Sequence, residues 1–422
     1  MRSVGAPCDC SCMATESNWP EMDGRQWAER MDLADKVAAR FAASTTGSEH
    51  DEELAAQAYL ASLDPTAYVG SRHHTVPAFV LKRWADRKGK VQVYRRVEAS
   101  YGQVNIRDLA IRDFYTVIDL DGAKNSHLES LMGRVESICR PVIEGVLNPF
   151  VVPRSLRAKE AGALAHFASI QSVRTTRRRR EVELHADWYA KTMAQGVVSD
   201  AKLRQVSIVP HQNETITATI RSADELFPFF ACRPLAIIHL DAPLLLMCDE
   251  PVILNAPVGA FHLEDCFLTD KQIAARRRRA RKAAARSGAD VPEMTRTVHF
   301  SSTKPSGHGT ADEIVLAISP RAALLWGPLG DSPRPNSLMP ERLTGDEARR
   351  FANMANEAMC AQALDWIIAP LTDQTFKDRT FPEPGPLMRV CDGTNAAAAA
   401  VNSAPKRYRP HRLWLPDETD LS

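Results

Sequence analysis

The most apolar stretch of this chain, residues 235–254, is also its most interrupted: His239, Asp241, Pro243, Asp249, Glu250 and Pro251 break it. A segment of that length with so many polar residues and prolines cannot cross a bilayer as a helix. It reads instead as two buried strand pieces, residues 235–240 and 244–254. Leu244, Leu245, Leu246 and Met247 are apolar on consecutive positions, as in a strand covered on both faces. Such a strand needs elements packed on either side of it, so the chain must build a layered core.

Around that segment the pattern mixes periods. Residues 91–95, 114–120, 215–220 and 313–318 have strand character, while residues 26–43, 52–63, 126–147, 155–189 and 344–367 carry helical spacing. In the last of these, Thr344 stands three residues before Glu347, the spacing of a capping box. Strands and helices do not alternate regularly, which argues against a doubly wound parallel sheet. The expected fold class is α+β, with helices packed on a mostly antiparallel sheet in a single main domain. Residues 1–20 read as a disordered leader and 21–70 as an N-terminal helical extension. The core spans 71–370 with a basic insertion near 255–312, and 371–422 reads as a flexible tail with a few anchored apolar residues.

The formal net charge of +1 over 422 residues excludes a chain-wide basic field, so nucleic-acid binding must rest on a local patch. One exists. Residues 271–286 hold Lys271, Arg276, Arg277, Arg278, Arg279, Arg281, Lys282 and Arg286 with no acid among them. Interleaved alanines favour a helix with charge all round. The functional expectation is an arm that meets nucleic acid or another polyanion through phosphate contacts. The bland alternative is a solvated charged helix. No aromatic residue interrupts the run, so base stacking is not indicated.

Nine cysteines at irregular spacing do not form a disulfide framework, and the first thirty residues lack an apolar signal core. A cytoplasmic location with no membrane partner is the expectation. Cys8, Cys10 and Cys12 lack the spacing of a zinc knuckle. No metal site is assembled, and cofactor and oligomeric state stay open. Phosphate-loop, dinucleotide and zinc-protease motifs are absent.

Several short motifs follow one another in a recognisable order. His74-Thr75-Val76-Pro77 leads through Phe79, Leu81 and Trp84 to a Gly89-Lys90 turn and Tyr94. Then come Asp113-Phe114-Tyr115-Thr116, the paired glutamates Glu129 and Glu136, Gln171-Ser172-Val173-Arg174-Thr175, and Cys248-Asp249-Glu250-Pro251-Val252. Ile318-Ser319-Pro320 and a helix over residues 353–367 close the series. Over residues 71–370 the chain resembles the bacterial domain-of-unknown-function family 4238. Cys248 stands where that pattern usually has Ser or Thr. The resemblance implies no established chemistry, so the residues must be argued on their own.

Gln171, Arg174 and Thr175 extend the inward stripe of a helix, because positions three and four apart share a face. A buried guanidinium needs a carboxylate or a bound anion, and Asp249, ending a buried strand, is the expected partner. His74 offers an imidazole suited to proton transfer near neutral pH. Together they suggest two functions. In one, the cluster is a structural brace in a binding or sensing protein that uses the basic arm. In the other, it is a phosphoester hydrolase, nuclease-like, with His74 as acid/base, Arg174 clamping the anion, Gln171 and Thr175 assisting, and Asp249 orienting the histidine.

Overall fold

A computed structural model describes residues 24–45, 73–112, 114–118, 124–125, 127–148, 150, 153–194, 197–205, 208–255, 278, 300–302, 307–330, 336–381 and 388–390. The helix expected over 52–63, residues 1–20 and nearly all of the basic run lie outside these. In chain order the described helices are α1 (Gly24–Thr45), α2 (Ala78–Leu81), α3 (His127–Leu147), α4 (Ala158–Val173), α5 (Thr176–Met193), α6 (Asp200–Gln205), α7 (Gln212–Ala231) and α8 (Gly345–Gln362). The strands are β1 (His73–His74), β2 (Lys90–Arg95), β3 (Ser100–Asn105), β4 (Ile111–Arg112), β5 (Val117–Ile118), β6 (Lys124–Asn125), β7 (Pro234–Leu240), β8 (Met247–Cys248), β9 (Val252–Asn255), β10 (Phe300–Ser302), β11 (Glu313–Ser319), β12 (Ala322–Trp326), β13 (Asn336–Ser337), β14 (Glu341–Leu343), β15 (Trp366–Ala369) and β16 (Met388–Val390).

The fold is α+β and mostly antiparallel. A six-stranded sheet runs β13-β7-β12-β11-β9, with β14 also on β7, and a four-stranded sheet runs β3-β2-β15-β8. Among the described strands, only β13 and β14 pair in parallel, both with β7. The apolar run joins the two sheets: β8 belongs to one and β9 to the other, with Asp249, Glu250 and Pro251 as the crossing. Residues of both sheets, α4 and α8 share one apolar core. β7 and β11 are buried on nearly every position, which is why their sequences are continuously apolar rather than alternating.

Four expectations are corrected. Residues 215–220 are helical, in α7; Thr215, Ile216, Thr219 and Ala223 line its buried face at helical spacing, and packing on α4 overrides their β-branched character. The long helix over 155–189 is two helices. Thr175 is extended (φ −93°, ψ 157°) and its Oγ1 accepts from the Arg178 amide at 3.2 Å, so it ends one helix and caps the next. The closing helix stops at Gln362, and 366–369 is β15, paired with β2 and β8. Thr344 makes no side-chain cap bond; the Gly345 amide is met by Asp241 Oδ2 at 2.8 Å instead, with Gly345 itself at φ +57°.

Packed structure also runs beyond 370. Phe376 is fully buried, and Phe381 lies 4.6 Å from Tyr94 between ring centroids. No helix among the described residues is long and apolar enough to cross a membrane.

Candidate functional site: the break between two helices

The break at Arg174 and Thr175 draws together segments far apart in sequence. Arg174 is 1% exposed. Its Nη1 meets Glu136 Oε1 of α3 at 2.6 Å, and its Nη2 donates to the His74 carbonyl of β1. The carbonyl of Arg174 accepts from Tyr115 Oη at 2.9 Å, and its guanidinium lies 5.7 Å from the Tyr115 ring centre. His73 Nδ1 in turn accepts the Tyr115 amide at 3.1 Å.

The arginines that open α5 extend the network. Arg179 Nη1 donates to the Phe114 carbonyl at 3.3 Å. The Arg177 amide meets Glu250 Oε1 at 3.2 Å, and its Nη2 reaches the Gln362 carbonyl at 3.2 Å. Farther along α5, Arg180 pairs with Glu183 at 2.7 Å and Lys191 with Asp187 at 2.8 Å, all four nearly buried.

Asp249 is not the partner of Arg174. Its carboxylate accepts from the amides of Leu364 at 3.0 Å, Asp365 at 2.9 Å and Trp366 at 3.5 Å. It closes the turn between α8 and β15, and it does not orient His74. The expected pairing fails because the crossing from β8 to β9 turns Asp249 toward that turn, whereas α3, packed on α4, brings Glu136 to the arginine. The His74 contribution to Arg174 is its backbone oxygen. Thr175 acts as the cap described above.

Gln171, one turn before Arg174, is buried to 1% exposure and its amide oxygen and nitrogen meet no partner among the described residues. The structure therefore joins His74 and Arg174, keeps Gln171 and Thr175 on the same helix end, and separates Asp249. Of the arm, Arg276, Arg277, Arg279 and Arg281 lie outside the described residues; Arg278 is helical and exposed. Sequence reasoning did not assign Glu129 and Glu136 to the site. The signal was there: seven residues apart on one helix, they fall two turns apart on one face.

Electrostatics follow from this enclosure. Burial raises the Tyr115 pKa to about 12 against the lowering pull of Arg174 and Arg179, so the phenol stays a donor. Burial also raises the Glu129 carboxyl, opposed by Arg174 and reinforced by Glu136. For Arg174 burial works against the charge, yet Glu136, Tyr115 and Glu129 outweigh it and the pKa rises. The Cys248 thiol is raised well above its ordinary value, chiefly by burial and then by Asp249. Among the described residues no group of three His, Cys, Asp or Glu side chains is arranged to hold a metal ion.

Residues 72–261 match the family described as "Protein of unknown function (DUF4238)". The matched span takes in the motifs from His74 to Val252, the segments that meet at the α4–α5 break. Ile318-Ser319-Pro320 and α8 fall beyond it. No curated protein and no solved structure matches the chain.

Proposed function

We propose that this is a binding protein that engages nucleic acid, or another polyanion, through the basic run at residues 271–286, with the family motifs bracing the fold that carries it. One observation supports this most: the motif charges are used up inside the molecule. Arg174 is committed to Glu136 and the His74 carbonyl, and Asp249 to three backbone amides. A clamp for a substrate anion needs free donors, and both terminal nitrogens of Arg174 are already engaged. The run at 271–286, eight basic residues without an acid, has no such internal claim written in its sequence. A cytoplasmic setting fits the buried thiols of Cys139, Cys248 and Cys360, which form no disulfide among the described residues.

The test is anisotropy of a labelled duplex and a labelled single strand titrated with the protein across a salt series. Binding should tolerate sequence and weaken steeply with salt. Replacing Arg276, Arg277, Arg278 and Arg279 by Gln should reduce the log–log slope by about three to four, since each phosphate contact contributes about 0.9 on a duplex. Identical slopes for both proteins would remove the arm from the proposal.

The hydrolase reading keeps one observation on its side. Glu129 Oε2 is buried without a hydrogen-bond partner among the described residues, its carboxyl is raised by burial, and Arg174 is close enough to act on it electrostatically. Perturbed carboxyls of this kind serve as general acids. Cleavage of bis-p-nitrophenyl phosphate that is lost in a folded Glu129→Gln variant would favour hydrolysis over binding.

A further inference from the structure

A cleft of about 950 Å³ opens beside β7 and β14, and none of the residues at the α4–α5 break lines it. Its floor is apolar and fixed. Trp84, Leu156, Leu240 and Ala322 are all buried there, and the Trp84 indole is held by a 2.9 Å bond from Nε1 to the Leu245 carbonyl. That size is at the upper end for a small-molecule site.

The charges on the walls do not cancel. Arg154 is paired through both terminal nitrogens with Glu160 at 2.8 Å, and Arg321 donates to the Asp241 carbonyl. Asp86 is occupied by the amides of Lys88 and Lys90 at 2.9 and 2.8 Å. This leaves the donors of Arg342 and Arg83, with the His239 imidazole beside them and the exposed acid Glu341 on the rim. Arg342 and His239 are register partners on the parallel strands β14 and β7, so they stand side by side on one face.

Arg342 makes no side-chain hydrogen bond or ion pair with any described residue, and Arg83 Nε is closed off from solvent without a partner. The acid acting on Arg83, Glu144, is outside the lining and is held by Arg140 at 2.8 Å. Burial and then Arg342 lower the His239 pKa.

We propose that this cleft binds a small organic anion with an apolar body, its carboxylate, sulfonate or phosphate met by Arg342, His239 and Arg83 and its body laid over Trp84 and Leu156. A bare phosphate ion would leave the apolar floor unmatched. A neutral apolar molecule would leave the cations unmatched. This site is independent of the arm at 271–286, and neither needs the other.

The experiment uses the full chain and two fluorescent probes of nearly the same shape: 8-anilinonaphthalene-1-sulfonate and its uncharged counterpart N-phenyl-1-naphthylamine. The sulfonate should bind saturably at one site and about tenfold more tightly than the neutral probe, the difference one charge-assisted contact makes. Arg342→Gln, at an exposed position, should weaken the sulfonate by about tenfold with an unchanged far-ultraviolet spectrum. Leu156→Trp should abolish binding by filling the floor. Absence of saturable binding, equal affinity for the two probes, or unaltered affinity in Arg342→Gln would each overturn the proposal. Because Arg342 is exposed, that arm of the test stands even if Leu156→Trp fails to fold.

Discussion

Arg174 and Arg342 carry the same group into opposite surroundings. At the α4–α5 break the guanidinium is 1% exposed and meets a carboxylate, a carbonyl and an aromatic face. In the cleft beside β7 it is exposed, stands next to His239, and has no partner among the described residues. Desolvation explains the contrast. A charge taken out of water must find partners inside the protein, and once found they are no longer available to a ligand. A charge at an open mouth keeps its water until a ligand replaces it. At the break both terminal nitrogens of Arg174 are engaged, whereas Arg342 in the cleft keeps its donors.

The largest effect that could break this contrast comes from Arg174→Gln. It should destabilise the protein by about 3–5 kcal/mol in urea unfolding, because Glu136 is left without its partner and the His74 carbonyl without its donor. A loss below about 1 kcal/mol would mean that the buried pair does not brace the fold.

Asp249 comes next, and it sharpens the comparison because it is a buried carboxyl held by backbone amides rather than by a cation. Asp249→Ala should cost about 2–3 kcal/mol by orphaning the backbone amides between α8 and β15. Its pH dependence has a definite sign. Burial, then Asp365 and Glu250, raise its pKa to about 8. The folded state thus holds the proton more tightly than the unfolded chain, whose carboxyl titrates near about 4. The stability this contributes is complete in acid and is lost as pH rises through the raised value. Asp249→Asn cannot ionise, so its melting temperature relative to wild type should climb from about pH 4 to about pH 8. A constant offset over that range would show that the three amides keep Asp249 ionised throughout.

How far the sequence foretold this depends on the range of the interaction. Continuous apolar character marked β7 and β11, and helical spacing over residues 126–147 marked α3, since each pattern is local. Residues 215–220 alternate Thr, Ile and Ala in a period of two, and only their packing on α4 makes them helical. Thr175 lies in an arginine-rich run fit for helix, so its capping role emerged only from its backbone angles. The need of Arg174 for a carboxylate was legible. The choice of Glu136 over Asp249 was not, because it depends on which helix lies against which. The cleft was not legible: Trp84, Leu156, His239 and Arg342 come from separate segments, and nothing local to any of them says that they meet.

The next test concerns the cleft floor. Trp84→Phe removes the indole donor to the Leu245 carbonyl and leaves a small void. A loss of about 1–2 kcal/mol is expected from an unmet buried carbonyl and reduced packing. The same variant should bind the naphthalene sulfonate more weakly, since the indole forms the surface on which the probe lies. Unchanged affinity with reduced stability would limit Trp84 to a structural part and place the ligand body elsewhere on the floor.

The smallest effect expected is also the one on which the comparison turns. Arg342→Gln repeats the substitution made at Arg174, in the region where the charge has no internal task. The side chain is exposed, and no described residue holds it by a hydrogen bond or ion pair. Its removal should change unfolding free energy by no more than about 0.5 kcal/mol, the usual range for a surface position away from any network. The expected sign is slightly stabilising, because Arg342 is one of the two causes that lower the His239 pKa, and relieving that repulsion favours the protonated imidazole. The benefit should therefore appear in acid, where His239 carries charge, and vanish above neutrality. A destabilisation comparable to that of Arg174→Gln would mean that Arg342, too, is engaged inside the fold, and the contrast between a closed and an open arginine would fail.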